Sequence, residues 1–212
     1  MAVIDGSIWN DYLYGTSEGD SILASDGDDT VYAYEGDDYV DGWTGDDYIN
    51  GGSGNDTLLG YDGNDTIDGW TGDDYISGEA GDDYLLGYDG NDSLLGGTGT
   101  DTLNGEWGDD LINGGAYSYD SFEYDTLTGG ADADTFVLGD YFGIQYQGFG
   151  YATITDFNWT EGDKIQVFGS IDDYEVTGNG GGGVDILYQG DLLAQVTNTT
   201  DVIAAYDFIS IG

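Results

Sequence analysis

Aspartate returns at every ninth residue along the first half of the chain, at Asp11, Asp20, Asp29, Asp38, Asp47, Asp56, Asp65, Asp74, Asp83, Asp92, Asp101 and Asp110, and again at Asp125 and Asp134. Immediately before many of these stands a second oxygen-bearing side chain: Asp28, Asp37, Asp46, Asn55, Asn64, Asp73, Asp82, Asn91 or Asp109. Carboxylates in strict register can hold a hard cation or, as isolated pairs, act as acid and base. The 212-residue chain has no His and no Cys, so neither a Ser-His-Asp nor a Cys-His nucleophile can be built, and transition metals lack the imidazole and thiolate they favour. No acidic pair stands apart from the periodic set, so the expectation is a protein that is not an enzyme. An oxygen-only donor set suits Ca²⁺, which accepts about 6 to 8 oxygens at about 2.3 to 2.6 Å in flexible geometry, whereas Mg²⁺ resists an all-protein cage.

The elements that must position these groups follow from the same period. From Gly6 to Asn113 the chain divides without a break into 12 nonapeptides, among them GWTGDDYIN, GGSGNDTLL and GYDGNDTID. Position six is Asp throughout, and position eight is apolar throughout, as at Leu13, Ile22, Val31, Leu58, Ile67 and Leu103. Two further units, one interrupted by a six-residue insertion at about 117–122, carry the pattern to Val137 and make 14. The G-x-x-G-[DN]-D half of each unit reads as a loop whose glycines supply tight turns. The last three residues read as a short strand with one inward side chain. Two units then form one coil, and stacked coils make a parallel solenoid with a thin core between two sheets. One buried aliphatic side chain per nonapeptide is too little to hold such a fold by burial alone. Stacking brings position-six carboxylates of units n and n+2 together with backbone carbonyls at the glycines. Those carbonyls are sought at Gly42, Gly45, Gly51, Gly54, Gly60, Gly63, Gly69, Gly72, Gly78, Gly81, Gly87, Gly90, Gly96 and Gly99. The position-five side chains either ligate the ion or brace the turn.

At these residues the chain resembles the RTX (repeats-in-toxin) family, whose nonamers read G-G-x-G-x-D-x-U-x; Gly51–Leu59 (GGSGNDTLL) and Gly96–Asn104 (GGTGTDTLN) match best. The resemblance covers residues 6–137. It implies an all-β, right-handed parallel β-roll, Ca²⁺ as the bound ion, and secretion by a type I route, but not a toxin. Units at both ends depart from the pattern: Trp9, Glu18, Glu123 and Asp132 replace the position-four Gly, and Thr100, Tyr124 and Ala133 the position-five Asx. Pairing each unit with the next but one allows 12 ions, and the ten units from Ala24 to Asn113 allow 8, so about 8 to 12 are expected.

Charge constrains partners. With 44 Asp plus Glu against Lys164 alone, the net charge is −43, and an ion-free chain should stay expanded by self-repulsion. Nucleic acid and anionic membrane are excluded, because binding either needs Lys or Arg to displace counterions. Yet 15% of residues are aromatic, unlike an acidic disordered tail. Trp43, Tyr61, Trp70 and Tyr88 at position two could stack on sugar rings, which would make the chain an adhesin or polysaccharide-binding module, or they could be cross-strand ladders. The GWTGDDYI motif at Gly42 recurs at Gly69, three units later; an odd number of units puts its copies on opposite faces and favours ladders.

Beyond residue 137 the period is lost. A lead (1–5), the repeat roll (6–137) and a β-rich cap (138–212) are the expected divisions, with cap strands at Tyr151–Phe157, Lys164–Phe168, Tyr174–Thr177, Val184–Tyr188 and Leu192–Val196. The run Ile154–Val167 resembles the segment after the last repeat of many RTX proteins, which carry an uncleaved secretion signal in their final residues, here 201–212. Met1–Gly15 has no apolar core of a signal peptide, and no segment is apolar for long enough to span a bilayer. The expected protein is secreted or at the cell surface, folds on Ca²⁺, and serves a structural, surface-layer, matrix or self-assembling role. The alternatives are the sugar-binding adhesin and an accessory module of a secreted enzyme.

Overall fold

A computed structural model describes residues 1–115, 123–140, 143–146, 150–197 and 207–211. The chain lays down β1 (Val3–Asp5), β2 (Tyr12–Tyr14), β3 (Ser21–Leu23), β4 (Thr30–Glu35), β5 (Tyr39–Thr44), β6 (Tyr48–Ser53), β7 (Thr57–Asp62) and β8 (Thr66–Thr71). It continues with β9 (Tyr75–Ala80), β10 (Tyr84–Asp89), β11 (Ser93–Thr98), β12 (Thr102–Trp107), β13 (Leu111–Gly115), β14 (Thr126–Ala131) and β15 (Thr135–Val137). Odd-numbered strands pair with one another in one sheet and even-numbered strands in the other, all in parallel. This is the parallel β-solenoid the repeat calls for, one coil per pair of nonapeptides, as in Leu58 facing Ile76. Past β13 the coil lengthens, with Leu103 facing Leu127 and Ile112 facing Phe136. The inserted residues are thereby accommodated without loss of register; the insertion itself, 117–122, lies outside the described residues.

The glycine-rich half of the unit is not all loop. In the central coils each strand runs for six residues, through positions seven, eight and nine and on through positions one, two and three of the next unit. Only positions four to six turn. Intrinsic preference argues against a strand there, but a kink repeated in every coil meets the same kink in its neighbour, so the backbone groups still pair. Along Thr57–Asp62 the alternation is plain: Leu58 and Gly60 are buried while Tyr61 and Asp62 are exposed. The core is thus a column of position-eight side chains, fully buried from Ile22 to Phe136, lying beside the position-one Cα atoms.

Position two carries the kink, and its φ is positive. Ser25, Tyr34, Trp43, Tyr61, Trp70, Glu79, Tyr88 and Glu106 all sit between 75° and 83°. Non-glycine residues in this region are strained by about 1–2 kcal/mol each, which is why the family consensus has Gly there.

The cap is built onto the roll. β18 (Ala152–Ile154) and β22 (Asp191–Val196) extend the even sheet in parallel, while β19 (Lys164–Phe168) and β23 (Phe208–Ile211) extend the odd one. Ile154, Ile165 and Val196 prolong the inward column. β20 (Tyr174–Gly178) and β21 (Val184–Tyr188) then close the even sheet in antiparallel fashion, and β16 (Gly139–Asp140) and β17 (Gly143–Ile144) form a small separate pair. The strands read from the sequence are present, Tyr151–Phe157 in shortened form, and β23 adds one beyond them. Most of the expected secretion segment, 201–206 and 212, lies outside the described residues. At the other end the lead is itself a partial coil, since Ile4 pairs with Ile22.

Shortening a position-eight side chain leaves a void with no neighbour able to fill it. Ile67→Ala is expected to lower the stability of the calcium-loaded protein by about 2–5 kcal/mol. Tyr75→Thr, on the outward face, should change it by less than about 1 kcal/mol. Equal denaturation midpoints for the two would contradict this account of the core.

Candidate metal centre: a ladder of buried carboxylates

The turn at positions four to six points the position-six side chain inward, and stacking turns it into a ladder. From Asp20 to Asp134 every one of these carboxylates is at most 3% exposed. From Asp29 onward each Oδ1 accepts the position-six backbone N–H of the preceding coil on its own side, as in Asp47 N–H to Asp65, Asp56 to Asp74 and Asp74 to Asp92, all at 2.8 Å. The second oxygen is different. In Asp29, Asp38, Asp47, Asp56, Asp65, Asp74, Asp83, Asp92, Asp101 and Asp110, Oδ2 is buried with no hydrogen-bond partner.

These orphan oxygens lie against the position-one glycines. A Cβ on Gly42, Gly51, Gly60, Gly69, Gly78, Gly87 or Gly96 would run into Oδ2 of the Asp that closes the same unit, and most would also crowd the position-one carbonyl of the next coil. In these units position one is glycine because the carboxylate occupies the space a side chain would need, whereas the third and fourth units carry the small buried Ala24 and Ala33 there. The position-four glycines Gly45, Gly54, Gly63, Gly72, Gly81, Gly90 and Gly99, at φ 126–150°, stack so that a Cβ on any of them would strike the position-four carbonyl of the coil before.

Burial without a donor pushes the carboxyls up. Desolvation is the leading cause throughout, opposed by the backbone N–H and assisted by neighbouring aspartates. It raises Asp47, Asp74, Asp101 and Asp110 to about 8, Asp65 to about 7, and Asp56, Asp83 and Asp92 to about 6. Asp29 and Asp38 shift in the same direction. A row of buried carboxylates that resist ionisation is stabilised by a proton or by a cation, and the donors on hand are all oxygens. The residues fit a hard divalent cation. Among the described residues no three acidic side chains converge on one point. The carboxylates are instead strung at the strand spacing of about 4.8 Å. Two neighbours can share an ion, and its remaining ligands must be backbone carbonyls or water.

The position-five side chains brace the turn. Asp46 accepts the backbone N–H of Asn64 at 2.8 Å, Asn64 that of Asp82 at 2.8 Å, and Asp73 that of Asn91 at 2.9 Å. Asp28, Asp37, Asn55, Asp82, Asn91 and Asp109 accept in the same way, and the series runs opposite in direction to the inner ladder. Asn and Asp serve equally because the accepting atom is the carbonyl-type oxygen both possess.

The ends of the ladder are closed by protein groups. Asp11 Oδ2 accepts from the backbone and hydroxyl of Ser7, Asp20 Oδ2 from those of Thr16, and Asp125 Oδ2 from the Tyr146 phenol at 2.5 Å. With the Ala2 amide adding a further donor, Asp20 is shifted downward, the reverse of the central rows. Sequence reasoning missed Asp163. It continues the ladder, since Asp134 N–H donates to its Oδ1 at 3.1 Å and Asn158 N–H to its Oδ2 at 2.7 Å. The signal was present in Gly162-Asp163-Lys164-Ile165, a late echo of G-D-x-apolar. Tyr146 left no such trace. Of the singled-out aromatics, Trp43 and Tyr61 are neighbours in the odd sheet, Trp70 and Tyr88 in the even one. The three-unit recurrence therefore does put Trp43 and Trp70 on opposite sheets.

Protons should stand in for the ion. Because these folded-state values lie above the ordinary Asp value of 3.8, protonation stabilises the ion-free roll fully below about pH 4, and that stabilisation is lost as pH rises through about 6 to 8. In chelator, circular dichroism is expected to show more β structure at pH 5.5 than at pH 8. The same spectrum at both values would refute the coupling.

The RTX calcium-binding nonapeptide repeat matches the chain in four copies, over residues 14–49, 50–85, 86–116 and 120–140, together more than half its length. No curated protein matches. Among solved structures, the AlgE6R3 subunit of the Azotobacter vinelandii mannuronan C5-epimerase is 23% identical over 74% of this chain and 80% of that one, with a TM-score of 0.38. Extracellular lipase LipA of Serratia marcescens is 16% identical over 96% of this chain, with a TM-score of 0.22, and this chain spans 39% of its length. No helix among the described residues is long and apolar enough to cross a membrane. The matched repeats, which contain the buried carboxylate ladder, make this chain a member of the RTX calcium-binding nonapeptide repeat family.

Proposed function

We propose that this protein is exported in an expanded, calcium-poor state and folds outside the cell, where Ca²⁺ enters the ladder and sets a rigid acidic rod with a structural, matrix or surface-layer role. The observation that carries this reading is the set of ten inward Oδ2 atoms without a partner. They form two rows of five, one on each side of the roll. Each ion would lie between successive carboxylates of a row, four per row and about eight in all, with carbonyls of the position-one and position-four glycines completing the shell. Calcium supplies the positive charge that a chain with a single Lys cannot. That lysine, Lys164, lies at the far end of the ladder, 3.8 Å from Asp207. Asp11, Asp20 and Asp125 already have donors on Oδ2, so they are weaker candidates for an ion. Folding is then tied to location, since calcium is scarce in the cytoplasm and millimolar outside.

The test is a calcium titration read by circular dichroism and small-angle scattering. The radius of gyration is expected to fall from the roughly 50 Å of an unfolded chain of this length to less than half of that in 10 mM Ca²⁺, with Mg²⁺ unable to substitute. A chain already compact in EDTA at pH 8 would sink the proposal. Asp65→Asn keeps the Oδ1 acceptor and removes the charge, so its folding midpoint should move several-fold higher in calcium, while Asp20→Asn should leave the midpoint within about twofold.

A further inference from the structure

The ladder lies inside the roll and leaves one outward feature unexplained. On the even sheet, Tyr34 of β4, Gly52 of β6 and Trp70 of β8 follow one another in register, so two aromatic residues flank a residue with no side chain. All three occupy position two, at φ 81°, 103° and 81°. The aromatics are half exposed, and with Gly52 both line a cleft of about 490 Å³ to which Thr16, Ser17, Glu35, Asn50 and Ser53 also contribute. Both walls are backed. The Tyr34 ring lies near-parallel to those of Tyr14 and Tyr32, with centroids 6.4 Å away in each case, and the Trp70 ring packs on Tyr88 at 5.9 Å.

From this we infer that the Tyr34–Gly52–Trp70 cleft is a carbohydrate-binding site that takes a pyranose ring of a neutral glycan. Two strand spacings place the flanking residues about 9.6 Å apart. Carbon contacts at about 3.5–4.0 Å on each face of an infinitely thin ring would use about 7–8 Å. What is left suits a puckered sugar better than a flat aromatic. Aromatic faces meet the C–H surface of the sugar, while the carboxylate, amide and hydroxyl at the rim can bond its hydroxyls. Rings held by their neighbours lose little freedom on binding. Charge selects the class: with Glu35 at the rim, a net charge of −43 and the single Lys in the cap, an acidic polysaccharide is repelled. The odd sheet supplies the contrast. Trp43 and Tyr61 occupy adjacent strands with no empty position between them, and with Asp41 they line a smaller cleft of about 290 Å³.

The inference does not depend on a structural role outside the cell, only on the folded roll. Calcium-loaded full-length protein is titrated with cellohexaose, mannohexaose and xylohexaose, and with polygalacturonate as the anionic comparison, by calorimetry and tryptophan fluorescence. Saturable binding of at least one neutral hexasaccharide is expected, with none of polygalacturonate. Trp70→Gly removes the ring and installs the residue that a positive φ favours, so circular dichroism in calcium should be unchanged while affinity falls at least tenfold. Trp70→Tyr should restore most of it, and Trp43→Gly should bind within twofold of the parent. Binding of no neutral hexasaccharide, a preference for polygalacturonate, or full affinity in Trp70→Gly would each overturn the assignment.

Discussion

Everything in this roll depends on the like charge of carboxylates forced into a column. The ladder takes side chains that water would solvate well and stacks them, with one oxygen satisfied by a neighbouring N–H and the other left without a donor. Removing a charged group from water without a partner is among the largest local penalties available to a protein. A divalent cation reverses the sign of that term, because it neutralises two carboxylates and supplies the missing contact to both. The aliphatic column next to it stabilises each coil as well, and the repulsion that a net charge of −43 carries opposes it.

Glycine has separate tasks within the same nonapeptide, which explains why the consensus tolerates so little. At position one it yields its side-chain space to the carboxylate; at position four it permits a positive φ and a close backbone stack. At position two a positive φ is required and a Cβ on Gly52, Gly97 or Gly130 would strike the position-two carbonyl of the coil before, yet there the sequence departs to Tyr, Trp, Glu or Ser. The position-two side chain points outward, and the strain of a left-handed residue has been accepted at Tyr34, Trp43, Tyr61, Trp70 and Tyr88. That these departures are mostly aromatic, and that two of them stand on either side of Gly52, is what sets the outer surface of this chain apart from the repetition within it.

The termini of the ladder show the same chemistry solved without an ion. Ser7 and Thr16 bring a hydroxyl and an amide to the first two carboxylates, and Tyr146 brings a phenol to Asp125. In each case the second carboxylate oxygen obtains its donor from the protein. These replacements fall where the nonapeptide pattern decays, in units that lack the position-four Gly. Weakening of the motif and loss of the orphan oxygen are thus two aspects of one change.

The period of nine and its phase of Asp and aliphatic residues determined a great deal on their own: two strands per coil, parallel stacking, the inward position eight, the insertion after the twelfth unit, and an oxygen-only cation as the missing countercharge. These were legible because a repeat turns a tertiary contact into a sequence spacing. Leu58 meets Ile76 for the same reason that Ile67 meets Leu85. What only the tertiary structure decided lies where spacing is silent. The length of the strands depended on a kink being matched by an identical neighbour, which no local preference reveals. That the position-five side chains accept backbone N–H groups of the next coil depended on which way a side chain faced. Tyr146 reaches Asp125 from outside the period, and Asp163 joins the ladder at Asp134 across a gap that breaks it. The Tyr34–Trp70 cleft requires that units four and eight stand two strands apart on one face, with the side chain between them absent.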